Sequence, residues 1–264
     1  MQVYRGMDIG TAKPTPAERA VVSHHLIDIA DPSDEFSVAA FKSACAHALD
    51  DIEARGHRAV LVGGTGLYVR AIIDDLEIPG QYPEARLSIE DDPNTIRLHQ
   101  RLSGIDPVAA SRMEPTNRRR VVRALEVSIG SGRPFSSFGP GLDRYPDTGF
   151  RLIGLRAPRV EIDRRIATRF RQQMEAGWLD EVRALQTRPT GLSRTAAQAL
   201  GYRELLAHLD DEWTLEAAVD RGITRTRQFA RRQERWFRRD PRIAWIDADH
   251  GHNVLARFRD RLED

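Results

Sequence analysis

Cysteine and lysine are nearly missing from this chain of 264 residues. Cys45 stands alone, and of 40 basic residues only Lys13 and Lys42 are lysines, the other 38 being arginines. One thiol excludes an internal disulfide framework and any zinc site built on two or more thiolates. Two lysines confine any chemistry that needs an ammonium group to those two positions, while the arginine bias itself fits a GC-rich genome. Long apolar runs are missing too: no stretch approaches the ~18 residues of a spanning helix, and no charged-then-apolar leader is present. No membrane role is expected, and the cytoplasm is the default location. Repeats and low-complexity tracts are also lacking. A 41% hydrophobic, 30% charged composition argues against disorder and is ample for a core.

The apolar pattern then sets the order of the chain. Residues 24–29 read as a short buried strand ending in the acidic loop of Asp31, Asp34 and Glu35. Ser37 is placed to cap a helix from Phe41 to Ile52 that Gly56 stops. Residues 58–62 form a continuous apolar strand, and Gly63-Gly64-Thr65-Gly66 turns the chain sharply into a helix over 67–73. Strand, helix, strand, glycine turn and helix predict a parallel sheet with helices on its faces. Eight prolines then interrupt short helical pieces at 94–103, 108–112 and 118–129, which predicts an inserted helical subdomain without strands over 77–149. Core segments of 1–76 and 150–264 flank it. The second holds a strand over 150–155, helices over 159–176, 179–185, 196–208 and 215–239, and a last strand over 243–247. The predicted class is α/β with an inserted α region.

A formal net charge of +1 conceals segregation. Seven acids lie between Asp28 and Glu53 against Lys42 alone, whereas eight arginines between Arg221 and Arg239 face only Glu234. Arg221, Arg225, Arg232 and Arg239 recur at helical spacing and form one stripe. Arg112, Arg118, Arg119, Arg120 and Arg123 make a second cluster inside the insertion. A single such face is ordinarily solvated and paired with neighbouring acids. Two of them on different elements point to a polyanion, because the guanidinium fork grips phosphates and stacks on unpaired bases.

Six blocks then carry a resemblance. Met1-Gln2-Val3-Tyr4 with Asp8-Ile9-Gly10-Thr11-Ala12-Lys13-Pro14 opens the series, followed by His25-Leu26-Ile27-Asp28 with Asp31-Pro32. Leu61-Val62-Gly63-Gly64-Thr65-Gly66-Leu67-Tyr68 is the third, and Arg119-Arg120-Val121-Val122-Arg123-Ala124-Leu125-Glu126-Val127 the fourth. Gln198-Ala199-Leu200-Gly201-Tyr202-Arg203 and Arg227-Gln228-Phe229-Ala230-Arg231-Arg232-Gln233 complete it. In this order the chain resembles the tRNA dimethylallyltransferases of bacterial type, which add a dimethylallyl group to N6 of adenosine 37 beside the anticodon.

The resemblance implies a P-loop NTPase-like parallel sheet flanked by helices, with dimethylallyl diphosphate and tRNA as substrates, Mg²⁺ as cofactor and a monomeric chain. By motif position it implies Thr65 and Arg169 as catalytic residues, Thr65 donating from a glycine turn to an oxyanion. Gly63, Gly64 and Lys13 fall on the diphosphate side, although Asp8 and Lys13 suit a loop-shaping role equally well. The target base must leave its stack to react. Met1 and Gln2 would line it. Arg86, Arg119, Arg120, Val121, Val122 and Arg123 would grip the RNA from the insertion. Gln198, Ala199, Leu200, Gly201, Tyr202 and Arg203 would hold it from the core, with Arg227, Gln228, Arg231, Arg232 and Arg235. The histidines show no metal-ligand spacing, and no metal ligand is assigned. Gly130-Ser131-Gly132 carries no nucleotide-binding weight.

One departure from the family matters. A G-x-x-x-x-G-K-S/T stretch occurs nowhere, and neither lysine lies in a glycine-rich loop. In the family a P-loop and an Asp-Ser pair precede the Met-Gln-Val-Tyr block, and that Asp is the catalytic base. The expectation is therefore a chain that starts at an internal methionine, or a shortened protein, with little or no transferase activity. The first is favoured, since loss of a core strand should leave an apolar sheet edge unpaired. Two rivals remain: a tRNA-binding protein without turnover, and an adenylate isopentenyltransferase acting on a free nucleotide, which would not need so extended a basic surface.

Overall fold

The computed structural model describes residues 1–139 and 141–248, so Pro140 and the last part of the expected 150–264 segment lie outside the described residues. The chain divides into two compact units, one formed by Met1–Val69 with the chain from Phe150 on, the other by Arg70–Gly149.

The first unit opens with a loop bridged to a second loop, Tyr4 pairing in parallel with Ala30. Helix α1 (Pro16–Val21) starts at a reciprocal cap between Thr15 and Glu18. Helix α2 (Val38–Ala54) is capped by Ser37, whose hydroxyl accepts from Ala40 N–H, and the chain reverses just past its end at Gly56, φ +70°. Helix α3 (Gly66–Ile73) follows the glycine turn.

The second unit is helical. Helices α4 (Pro83–Glu90), α5 (Thr95–Ile105), α6 (Pro107–Ser111) and α7 (Arg118–Ser131) start at Pro83, Asn94, Asp106 and Asn117, each by proline at the first turn or by a side-chain cap. Ile89, Leu98, Leu102, Met113, Val121, Val122 and Leu125 form its core. Within that apolar face Glu126 is buried, accepting from Tyr82 N–H, Arg86 and Arg123.

Returning to the first unit, β1 (Ile153–Arg156) pairs in parallel with β2 (Ala244–Asp247). Between them run α8 (Arg159–Glu175), α9 (Trp178–Gln186), α10 (Arg194–Ala197), α11 (Tyr202–Leu209) and α12 (Leu215–Phe237). Trp178 is the hub of this core, packed at a 54° tilt against Phe170 at 4.7 Å and edge-on to Tyr202 at 5.5 Å. Each large apolar side chain buried there contributes about 1.5–3 kcal/mol.

Three sequence expectations are corrected. Residues 24–29 are not a strand, because Leu26 and Asp28 adopt φ of +61° and +58°, which no extended ladder accommodates. Residues 58–62 form no strand among the described residues, and Val60 and Val62 are 69% and 89% exposed. The helix expected over 196–208 is two, α10 and α11, broken at Gly201 with φ +82°. The class itself stands: α/β, with a small parallel sheet and helices around it.

Candidate functional site

The glycine turn meets helix α12 at close range. Gln233 Nε2 donates to the Gly64 carbonyl at 2.7 Å, and a Cβ at Gly64 would lie 2.3 Å from the same nitrogen. A Cβ at Gly66 would lie 2.1 Å from Trp236 Nε1. These glycines are therefore required by backbone approach rather than by positive φ. Gly63 has only Val69 nearby, at 3.9 Å. Thr65 is exposed, with its carbonyl accepting Val69 N–H at the head of α3. Arg169 is exposed on α8 between buried Ile166 and Phe170, and forms no ion pair among the described residues.

Lys13 is placed otherwise than a diphosphate ligand requires. Its Nζ donates to the Tyr4 carbonyl at 2.8 Å, to Asp28 Oδ1 at 2.6 Å and to Asp8. An ammonium has three donors, so none remains for a phosphate. Arg19 shares Asp28, and Lys13 with Arg19 lowers the Asp28 carboxyl against the opposing effect of its burial. The loop-shaping alternative accounts for Lys13. Gln2 is similarly occupied: its amide donates to the carbonyls of Thr11 and Ala12, both at 3.0 Å. Met1 is exposed, its carbonyl accepting Tyr4 N–H.

Within the helical unit the expected grip separates into two kinds of residue. Arg119 and Arg120 are exposed without ion pairs among the described residues. Arg86 and Arg123 both reach the buried Glu126, at 3.3 and 2.7 Å, and Arg123 also donates to the carbonyls of Pro79 and Gly80. Their forks keep further donors free. Val121 and Val122 are 0% and 3% exposed, core residues that cannot present side chains to a ligand.

The first unit holds an open depression of about 390 Å³ between the α10–α11 turn and α12. Gln198, Leu200 and Arg203 line it from the turn, Gln228 and Arg232 from α12. Two further lining residues went unassigned in the sequence, Glu204 and Arg225. Arg225 belongs to the arginine stripe, a usable signal; Glu204 gave none beyond its place three residues after Gly201. Ala199 and Tyr202 are buried, and a Cβ at Gly201 would lie 1.9 Å from Trp178. These three shape the turn rather than face a ligand. Arg227 donates to the Asp163 carbonyl at 3.2 Å, Arg231 lies 3.8 Å from the Asp163 carboxylate, and Arg235 is exposed.

Among the described residues no group of three or more His, Cys, Asp or Glu side chains is placed to hold a metal. Mg²⁺ commonly takes one or two carboxylates together with substrate phosphates and water, and no ligand for it is assigned on this chain. No helix among the described residues is long and apolar enough to cross a membrane.

The IPP transferase family profile matches residues 2–240. The chain belongs to the IPP transferase family. Every expected site residue except Met1 lies inside the matched span. Among its relatives, the tRNA dimethylallyltransferase of Thermobifida fusca is 47% identical over 253 residues, covering 94% of this chain and 78% of the relative. That of Kineococcus radiotolerans is 45% identical, covering 100% and 83%. The full-length tRNA isopentenylpyrophosphate transferase of Bacillus halodurans superposes with a TM-score of 0.68 at 38% identity, covering 99% of this chain and 86% of that one. A eukaryotic dimethylallyltransferase solved acting on tRNA gives 0.79 at 26% identity, covering 98% and 69%.

Proposed function

We propose that this IPP transferase acts on tRNA, as its relatives' names state of them, moving a dimethylallyl group from dimethylallyl diphosphate to N6 of the adenosine beside the anticodon. The observation that carries this reading is the convergence of two motif blocks, Gln198–Arg203 and Gln228–Arg232, on one arginine-lined depression. An RNA strand needs such a surface, and a free mononucleotide does not. Arg119 and Arg120 add exposed positive charge on the helical unit. The chemistry needs the departing diphosphate stabilised and a proton removed from N6. Thr65, exposed at the glycine turn, would donate its hydroxyl to a diphosphate oxygen, and Arg169 would contribute charge. Ala199, Gly201 and Tyr202 support the turn that carries Gln198, Leu200 and Arg203.

A second reading, tRNA binding with little turnover, is favoured by one observation: Lys13 has all three donors engaged within the protein. One assay separates the readings. The polypeptide is incubated with labelled dimethylallyl diphosphate and unmodified tRNA, with AMP as competing acceptor, and tRNA affinity is measured in parallel. Transfer to tRNA supports the enzyme. Salt-sensitive binding without transfer supports the second reading, and transfer to AMP in preference to tRNA would sink both.

A further inference from the structure

We infer that, in the depression between the α10–α11 turn and α12, Arg225 contacts an RNA backbone phosphate and Glu204 positions it. This rests on the tRNA reading above and adds to it two residues.

Glu204 is 0% exposed in the first turn of α11. Its Oε2 accepts Gly201 N–H at 2.8 Å, and its Oε1 faces Arg225 Nη1 at 2.8 Å. Burying a carboxylate carries a desolvation penalty of several kcal/mol, and apolar residues of similar volume commonly stabilise a core as well or better. A bare tether between α11 and α12 therefore does not require this pair. What the pair does provide is placement: Glu204 Oε1 accepts no hydrogen bond among the described residues, so this immobile carboxylate holds the guanidinium at the wall by charge and leaves its N–H groups for another acceptor. The Arg225 side chain is 33% exposed at the wall of the depression, so those donors border solvent.

The other lining groups suit a ribose-phosphate. Arg225, Gln228 and Arg232 follow helical spacing along one face of α12. Arg203 and Arg232 are exposed without ion pairs among the described residues, which leaves three guanidiniums against one carboxylate. Gln198 and Gln228 can each donate and accept, as a 2′-hydroxyl requires. Leu200 supplies an apolar wall for the sugar. An acidic peptide would use the arginines but has no need of paired amides.

The test measures binding of unmodified tRNA to the full chain across a salt series, for wild type, Arg225→Ala, Arg225→Lys, Glu204→Gln and the double variant Arg119→Ala/Arg120→Ala. Loss of one phosphate contact should flatten the plot of log affinity against log salt by roughly 0.7–0.9. Arg225→Ala should show this, with affinity down about tenfold near physiological salt, and Arg225→Lys should lose less. Glu204→Gln should weaken binding even though it raises the net positive charge. A mere tether predicts binding unchanged or tighter in that variant. Thermal melting monitors folding, and if Glu204→Gln unfolds, the two Arg225 variants decide the matter. Wild-type affinity and slope in Arg225→Ala, beside a weakened Arg119/Arg120 variant, would overturn the site and leave the tRNA reading intact. Failure of the wild type to bind tRNA would overturn that reading and this one with it. If an acidic peptide binds the wild type and loses affinity in Arg225→Ala while RNA binding stays unchanged, the site is also overturned.

Discussion

The Tyr202 hydroxyl donates to Glu181 Oε1 at 2.6 Å, and the same carboxylate accepts backbone N–H groups from Asp8, Ile9 and Gly10 at 2.8, 2.7 and 3.2 Å. One acidic side chain of α9 thus fastens the N-terminal loop to α11. Burial, and then the neighbouring Glu181 carboxylate, push the Tyr202 hydroxyl well above its ordinary range, so it stays a donor at any working pH. Tyr202→Phe should cost about 1.5–3 kcal/mol, the range for a hydrogen bond to a charged group. Glu181→Gln should cost at least as much, since an amide presents N–H to one side of a ring of donors. Thermal melting checks both, and an unchanged Tm in either would remove the fastening role.

Glycine substitutions in the turn should separate by one residue. Ala at Gly66 places its methyl 2.1 Å from Trp236 Nε1, and Ala at Gly64 2.3 Å from Gln233 Nε2, while Ala at Gly63 finds nothing nearer than 3.9 Å. Gly66→Ala should destabilise by about 1–3 kcal/mol, as overpacking does, because the indole has no free end to move aside. Gly64→Ala should cost less, since the Gln233 amide can rotate away at the loss of its 2.7 Å bond to the turn. Gly63→Ala should stay within about 0.5 kcal/mol, as surface changes do. Chemical denaturation of the three variants gives the order directly.

Acid should weaken the fold below about pH 4.5. Asp31, hydrogen-bonded by Ser33 and paired with Arg188, is lowered from 3.8 to about 2. Arg97 and Asn94 lower Asp92 likewise, and Arg164 with Arg165 lowers Glu161 from 4.5, each to about 2. A carboxyl depressed in the folded state contributes stability above its unfolded value and loses it as protons bind. The contribution of these three is therefore complete above about pH 4.5 and falls away toward about pH 2. Melting temperature against pH should drop through that window. Arg188→Gln should make the drop shallower, by raising Asp31 toward its ordinary value.

Much of the helix pattern was legible because it is local. Ser37 caps the helix expected after it, Asn94 and Asn117 prove to be the caps at the starts of two expected helical pieces, and Gly177 stops α8 with φ +96°. The failures came from partners distant in sequence. Residues 24–29 have a strand's composition, but Asp28 is drawn to Lys13 and Arg19, and its left-handed backbone ends the extension. Helix α11 begins afresh at Tyr202 because Trp178 occupies the space a side chain at Gly201 would need. The site was legible as blocks rather than as faces. The block from Arg119 to Val127 mixes exposed arginines with core valines, and its Glu126 is the buried acceptor for two of the arginines expected on RNA.

That division inside one block makes the last prediction. Arg119 and Arg120 are exposed and unpaired among the described residues, so replacing both with Ala should lower tRNA affinity and flatten its salt dependence by roughly 0.7–0.9 per lost phosphate contact. Melting should move little, since surface changes of this kind rarely exceed about 0.5 kcal/mol. Arg123→Ala should act in the opposite sense. It removes the 2.7 Å partner of a carboxylate only 2% exposed, along with the bonds to Pro79 and Gly80. Arg86 stays in place at 3.3 Å and keeps Glu126 partly compensated. The expected cost is therefore about 1–3 kcal/mol, below that of breaking an isolated buried pair. Adding Arg86→Ala strips the carboxylate of both cations and should destabilise by more than the two single changes together, because each arginine covers for the other. Equal melting temperatures for the Arg119/Arg120 and Arg86/Arg123 double variants would show that Glu126 does not organise this unit.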